Sequence, residues 1–359
     1  MNFDYNEEQQ LLADSVRRYL AKSYDFEARR KIVAGEGWSK EAWAQFAQMG
    51  LTGLPVPAEH EGFGGGAVDL MGVMEAFGEA LVVEPYLPLV ISAQLIARGG
   101  SAKQKESILP AVVEGRTKLA FAHTEKGARY ALGAVSLAAS KQGDSWTLEG
   151  EKSAVVGAPP ADKIVVSART KDGVGLFLAE RVEMKPFRTV DERLAADLVF
   201  RGVHAEKIEG GLALIEEVVD FATALVCAEA VGAMKFACDT TLEYLKTRKQ
   251  FGVPIGTFQA LQHRMVDMVI SYEQAKSMAC LACSRMDQSE SSRERMRAIS
   301  SAKIKIADAA RHVSQEAVQL HGGMGMSEEL KVSHAFRRLT VLAREFGDAD
   351  HHLARFASL

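Results

Sequence analysis

Apolar residues recur at helical spacing in the first third of the chain. One predicted helix carries an apolar face that consists of Leu11, Leu12, Val16 and Leu20. A second helix is predicted over Val68–Leu81, after a loop marked by two prolines and a glycine-rich run at residues 55–66. We therefore expect residues 1–115 to form an N-terminal helical domain.

The last part of the chain shows longer apolar stripes of the same period. One consists of Val231, Met234, Cys238, Leu242 and Leu245, and the other of Ile299, Ile306, Ala310, Val313, Ala317 and Leu320. Stripes of this length are typical of an antiparallel bundle. The pattern predicts a C-terminal four-helix bundle over residues 211–359, with the charged run Ser289–Arg297 connecting two of its helices.

The middle of the chain changes character. Short segments rich in β-forming residues alternate with turn signals, and they comprise Leu119–His123, Ile164–Ala168, Val174–Leu178 and Leu198–Phe200. This predicts a β-domain, a barrel or a sandwich, over residues 116–210. The fold class is therefore α+β.

Composition and charge exclude several function classes. The 359 residues carry a net charge of −4, whereas a nucleic-acid-binding protein normally presents a basic face. No apolar run approaches the roughly 18 residues that a membrane helix needs. The acidic N-terminal residues contain no apolar signal core, and the four cysteines lie in helix-like sequence, so we expect a reduced, cytoplasmic location.

The segment Arg248–Gln259 separates two predicted helices and contains groups suited to a phosphorylated ligand. Arg248 offers a charge-assisted donor for phosphate, and Phe251 offers an aromatic face. Gln250 and Gln259 add amide groups that can hydrogen-bond a ring or a ribose. A basic turn between helices would explain the same composition.

The segment Gln319–Met326 ends a predicted helix in a glycine cluster. Gly322 is suited to stop the helix because glycine tolerates a left-handed conformation. Gly323 lets another molecule approach the backbone closely. A plain helix stop is the alternative interpretation.

Together with the three-part layout, these two segments resemble the acyl-CoA dehydrogenase family. The resemblance implies FAD as cofactor and α,β-desaturation of an acyl-CoA thioester. It also implies an oligomer, homomeric or heteromeric, and electron-transfer flavoprotein as electron acceptor. The residues that match the family's FAD contacts are Arg248, Gln250, Phe251, Gln259, Gln319, Gly322 and Gly323.

The β-domain matches the family only in part. Phe121 and Thr124 lie in a segment that resembles the strand beside the flavin ring. In the next flavin strand, however, Ala154 replaces the usual aromatic residue and Val156 replaces the usual threonine. A flavin ring there loses a ring contact and a hydroxyl donor.

The family's catalytic base is missing as well. Counting from Gly322 along the family pattern places Phe346 where a glutamate normally removes the α-proton, and counting back from Arg248 places Ala222 at the alternative position on an earlier helix. Neither side chain accepts a proton. Asp348 and Glu345 are the nearest carboxylates and therefore the candidate bases, although capping or surface roles explain them equally well.

Two hypotheses follow, and a remote third. The chain is either an active FAD-dependent acyl-CoA dehydrogenase or a partner subunit that completes a composite FAD site. Its ending resembles the small chains of heteromeric family members that act on bulky CoA thioesters, including sterol side chains. A flavin monooxygenase or nitroalkane-type oxidase is the remote alternative. The neighbouring residues His351 and His352 diverge on a helix, so we expect surface histidines and no metal site.

Overall fold

The computed structural model describes residues 5–143, 145–288 and 291–359. Its contacts define two compact units, each assembled from separate stretches of the chain. Unit 1 comprises Met1–Arg30, Gly66–Val82 and Thr223–Leu359, and unit 2 comprises Lys31–Gly65 and Val83–Ala222. Within the described ranges, no helix is both long and apolar enough to cross a membrane.

Helices occupy both ends of the chain and strands occupy its middle. The helices before the strands are α1 (Glu7–Ser23), α2 (Phe26–Ala34), α3 (Lys40–Gln48), α4 (Ala67–Ala80), α5 (Tyr86–Gly99) and α6 (Ala102–Val113). The strands are β1 (Leu119–Ala122), β2 (Ala138–Gln142), β3 (Ser145–Val156), β4 (Lys163–Thr170), β5 (Gly173–Ala179), β6 (Glu183–Arg188) and β7 (Leu194–Ile208). The remaining elements are α7 (Gly211–Thr247), β8 (Lys249–Gln250), β9 (Val253–Pro254), α8 (Gln259–Gln288), α9 (Ser292–His321), α10 (Lys331–Leu342) and α11 (Ala349–Ser358). The predicted α+β fold is confirmed.

The strands of unit 2 close into a barrel. The order β4-β2-β3-β7-β5 returns to β4 because β4 also pairs with β5, while β1 joins β4 in parallel and β6 joins β7. Closure removes the exposed sheet edges that invite aggregation. Alternate side chains of the long strands fill the interior, among them Leu148, Phe177 and Phe200, each at most 1% exposed. Pairing with β4 fixes the position of β1, and pairing with β2 and β7 fixes that of β3.

The helical stripes are largely confirmed, with two exceptions. Val16 and Leu20 of α1 are buried, but Leu11 is 64% exposed. In the C-terminal stripe Leu242 is 38% exposed, whereas Met234 and Leu245 are buried. Both exceptions are apolar side chains on helix surfaces that unit 1 does not cover.

The charged run Ser289–Arg297 is mostly helix, and its prediction as a connection was wrong. Helix α9 begins at Ser292, where the Ser291 side chain accepts a hydrogen bond from the Glu294 backbone N–H. Arginine and glutamate are good helix formers, and the serine cap starts the helix early. Ser289 and Glu290 lie outside the described residues.

Candidate functional site

An open cleft of about 560 Å³ lies in unit 1, between the end of α7 and the end of α9. Its lining residues are Tyr244, Arg248, Gln250, Ile255, Leu261, Arg264, Gln319, Leu320, His321, Gly322, Gly323 and Met324. The structure thus brings together residues from both segments that the sequence pointed to, although about 70 positions separate Arg248 from Gln319.

Arg248 is the cation of this cleft that remains available to a ligand. The turn that carries it is closed by backbone hydrogen bonds, from Arg248 N to Tyr244 O and from Ile255 N to Arg248 O, both 2.8 Å. Its side chain is exposed and forms no ion pair with any described residue. Arg264, by contrast, donates to Glu316 at 2.6 Å. A free guanidinium on a fixed turn is suited to a phosphate group.

The glycine cluster forms the opposite wall of the cleft. Helix α9 ends at His321, and Gly322 caps it with φ +61, a conformation that favours glycine. A Cβ atom on Gly322 or Gly323 would meet no atom within 4 Å, so the space above both backbones is open. His321 stacks on Tyr244, with 4.4 Å between the ring centroids, and forms an aromatic wall. These features fit the adenosine and pyrophosphate part of FAD.

Two other predicted contacts do not line this cleft. Phe251 is 91% exposed in a left-handed turn, and its ring meets the edge of Phe258 at 6.1 Å. Gln259 begins α8 and is exposed. Both side chains project from unit 1, so their roles remain a prediction that requires a neighbouring molecule.

The strand segment Phe121–Thr124 lies in unit 2, beside a bulge in β3. Thr124 is exposed, and its carbonyl accepts a hydrogen bond from Ser153 N at 2.8 Å. Ala154 adopts φ +51 where the register of β3 shifts, and its N–H donates to Asp197 Oδ1 at 2.9 Å. Ala154 is exposed at this bulge and provides no aromatic ring to cover a flavin.

A buried ion pair supports this segment, and the sequence patterns did not reveal it. Lys152 Nζ donates to Glu125 Oε1 at 2.7 Å, and Lys152 is fully buried. Burial lowers the pKa of Lys152 to about 8. Burial opposes ionisation of Glu125, but hydrogen bonds from Lys152 and Ser136 outweigh it and lower the pKa of that carboxyl to about 2. The pair is charged at neutral pH.

The two candidate bases are both engaged by the protein. Glu345 Oε2 lies 3.3 Å from Arg338 Nη1, and Arg338 also forms a buried bidentate pair with Glu229, at 2.7 and 2.8 Å. Asp348 caps α11 and accepts a hydrogen bond from His351 N at 2.9 Å. Their role as bases remains a prediction.

The sequence predicts the family base at the position of Phe346, in the loop after α10. The backbone of Phe346 has φ +60, and Gly347 follows with φ +127. A Cβ atom on Gly347 would meet His352 Nε2 at 2.6 Å, so only glycine fits there. Ala222, which the sequence predicts at the alternative base position, is completely buried in α7.

His352 is not a surface histidine, and that prediction was wrong. It is 1% exposed, and its ring nitrogens lie 3.3 Å from Ser300 Oγ and 3.2 Å from the Phe346 carbonyl. Burial is the main cause that lowers the pKa of His352, to about 3, so the ring is neutral. The ring packs against the loop that carries Phe346. Hydrogen bonds to α9 and to the loop make burial of this ring possible.

Comparison with known proteins gives a consistent result. Family models described as the N-terminal, middle and C-terminal domains of acyl-CoA dehydrogenase match residues 6–116, 120–208 and 209–357. A 3-(aryl)acrylate reductase of Clostridium sporogenes is 30% identical, with 85% of each chain covered.

Solved structures agree with the sequence relatives. A "Tcur3481-Tcur3483 steroid ACAD" variant has a TM-score of 0.91 at 28% identity, covering 98% of this chain and 97% of that chain. The structure "PigA with FAD and proline" has a TM-score of 0.90 at 26% identity, covering 100% of this chain and 98% of that one. The predictions of FAD as cofactor and of an acyl-CoA dehydrogenase-type oxidoreductase are confirmed. The chain belongs to the acyl-CoA dehydrogenase family of FAD-dependent oxidoreductases.

Proposed function

We propose that this chain works as a subunit of a hetero-oligomeric acyl-CoA dehydrogenase in which another chain supplies the catalytic base. The observation that carries the proposal is the loop after α10. The sequence predicts the base at the position of Phe346, while Glu345 is paired with Arg338 and Asp348 caps α11. The steroid ACAD that this chain resembles is named for two chains, which supports a heteromeric assembly.

The chain's contribution to catalysis is then binding and positioning. FAD, when bound, supplies the acceptor for the β-hydride of an acyl-CoA thioester. Arg248 neutralises the pyrophosphate charge of a neighbour's FAD, while Gln250 and Gln319 hydrogen-bond its polar groups. Gly322 and Gly323 leave room for the adenosine side. The alternative, an enzyme active alone, requires Asp348 or Glu345 to leave its present contact and accept the α-proton.

The purified chain tests the proposal directly. If the chain alone carries FAD, addition of saturated acyl-CoAs should leave its absorption unbleached. Bleaching by an acyl-CoA in the absence of a second chain would contradict the proposal and favour the active enzyme. The cytoplasmic location, a sterol-type substrate and electron-transfer flavoprotein as acceptor remain predictions.

We expect the chain to form oligomers. Helix α8 exposes an apolar stripe, with Val266 54%, Val269 39% and Ile270 48% exposed, and Leu242 of α7 is also uncovered. Apolar stripes of this kind on a soluble protein mark association surfaces. Sedimentation velocity should show a dimer or larger species, and Ile270→Glu should weaken it. A stable monomer at micromolar concentration would exclude this prediction.

Arg248→Ala should lower the FAD content of the assembled protein without unfolding it. The loss of one charge-assisted hydrogen bond weakens binding by about 1.5–3 kcal/mol, or roughly 10- to 100-fold. FAD affinity is measured by fluorescence quenching, and circular dichroism checks the fold. Lys249→Ala is the matched control, because Lys249 is an exposed neighbouring cation that does not line the cleft. Equal FAD affinity of both variants would show that Arg248 does not contribute to FAD binding.

A further inference from the structure

Lys152 connects His123 to the buried carboxylate of Glu125. Lys152 Nζ donates to Glu125 Oε1 at 2.7 Å, to Ser167 Oγ at 2.9 Å and to the His123 carbonyl at 3.1 Å. An ammonium group has three protons, and these three contacts use all of them. Ser167 is completely buried, so its hydroxyl must find its partners inside the barrel.

The direction of the next hydrogen bond follows from this count. Ser167 Oγ accepts from Lys152, and its own proton points to the other neighbour, His123 Nδ1, at 2.9 Å. His123 Nδ1 is therefore an acceptor, and a neutral imidazole with an acceptor at Nδ1 carries its proton on Nε2. Burial, and then the charge of Lys152, lowers the pKa of His123 to about 4, which keeps the ring neutral.

The Nε2–H group is left available to a ligand. Nε2 forms no hydrogen bond with any residue of the described ranges. It is also not a fully buried atom, so a ligand can reach it. The ring is held in place by Phe121, two residues before it on the same face, with 5.5 Å between centroids and 20° between planes. The Nε2–H group of His123 is thus a donor of fixed orientation and tautomer. His123 lies in the chain between Phe121 and Thr124, the two residues predicted to contact a flavin.

We propose that His123 is a positioning residue that donates a hydrogen bond from Nε2 to the polar edge of a flavin ring bound against this chain's own β-domain. The pyrimidine half of a flavin presents carbonyl oxygens and ring nitrogens that accept hydrogen bonds. The donor replaces the hydroxyl that Val156 cannot supply. The inference rests on FAD as cofactor, and it is independent of the Arg248 cleft and of the missing base.

The first test measures the tautomer in the flavin-free full-length chain. Nitrogen-15 NMR of histidine-labelled protein should show that His123 is protonated at Nε2 and unprotonated at Nδ1. Ser167→Ala removes the hydroxyl and should turn this single state into a mixture of tautomers. Protonation at Nδ1 in the wild-type chain would overturn the proposal.

The second test uses lumiflavin, a flavin ring without phosphate or adenosine. His123→Leu should weaken lumiflavin binding about five- to tenfold, the effect of one hydrogen bond, and should shift the visible absorption band of the bound ring. His123→Gln keeps an N–H donor and should recover part of the affinity. His204→Leu, the same change at an exposed site on β7, is the control and should bind as wild type.

The outcomes separate this proposal from the proposed function. Unmeasurable lumiflavin binding by the folded wild-type chain, or equal affinity of wild type and His123→Leu, overturns the role of His123. Neither result affects the Arg248 cleft, because lumiflavin lacks the groups that Arg248 would bind.

Discussion

The chain assayed alone with saturated straight-chain acyl-CoAs and an artificial electron acceptor should turn over about 10²–10⁴-fold more slowly than a family member with its base in place. The α-proton of a thioester is weakly acidic, so its removal requires a carboxylate within hydrogen-bond reach. From the sequence we predict that Phe346 and Ala222 occupy the two positions where the family places that carboxylate.

Substitutions at the loop distinguish the possible sources of residual activity. Phe346→Glu should raise turnover in flavin-loaded protein, because it adds a proton acceptor at the position where the sequence predicts the base. Phe346→Leu is the matched control without a proton acceptor. Asp348→Asn retains the helix cap, since asparagine caps as well as aspartate, so any loss of activity would report on proton transfer.

Glu345→Gln tests the second candidate base. Glutamine keeps the size of the side chain and removes the charge that faces Arg338. If wild-type turnover is robust and survives both Asp348→Asn and Glu345→Gln, the base lies elsewhere and our interpretation of this loop is wrong.

Local patterns predicted the elements well, because helix and strand periods depend on neighbouring residues. The β segments around Ile164 and Val174 were visible from β-branched residues between turns. Closure of the barrel was not visible, since it depends on the pairing of β4 with β5 and of β3 with β7. Leu242 fits the predicted apolar stripe but is exposed, because helical period alone does not distinguish a buried helix face from an uncovered one.

The residues that line the cleft were predictable where a motif concentrated them. Arg248 and Gly322 lie in short segments of unusual composition, and the structure places both at one cleft. The network of His123, Lys152 and Ser167 was not predictable in the same way. Its members are spread over β4, β3 and the end of β1, and no spacing along the chain marks their contacts. Arg338 and Glu229 are likewise 109 positions apart.

Arg338→Met should lower the free energy of unfolding by about 3–5 kcal/mol, because it removes both hydrogen bonds that the guanidinium donates to the buried carboxylate of Glu229. Arg338 is 3% exposed and Glu229 is 1% exposed, so water cannot replace the lost hydrogen bonds. Chemical denaturation followed by circular dichroism measures the effect. The double variant Arg338→Met with Glu229→Leu should recover much of the loss, since two apolar side chains avoid an unpaired charge.

An exposed ion pair provides the control for this prediction. Arg201 and Glu183 are 2.8 Å apart, with 72% and 51% of their side chains exposed, so Arg201→Met should change stability little. Arg338→Met should also free Glu345, whose Oε2 lies 3.3 Å from the guanidinium, and loosen the loop that carries Phe346. If Arg338→Met unfolds at the same denaturant concentration as Arg201→Met, the buried pair does not hold this part of unit 1 together.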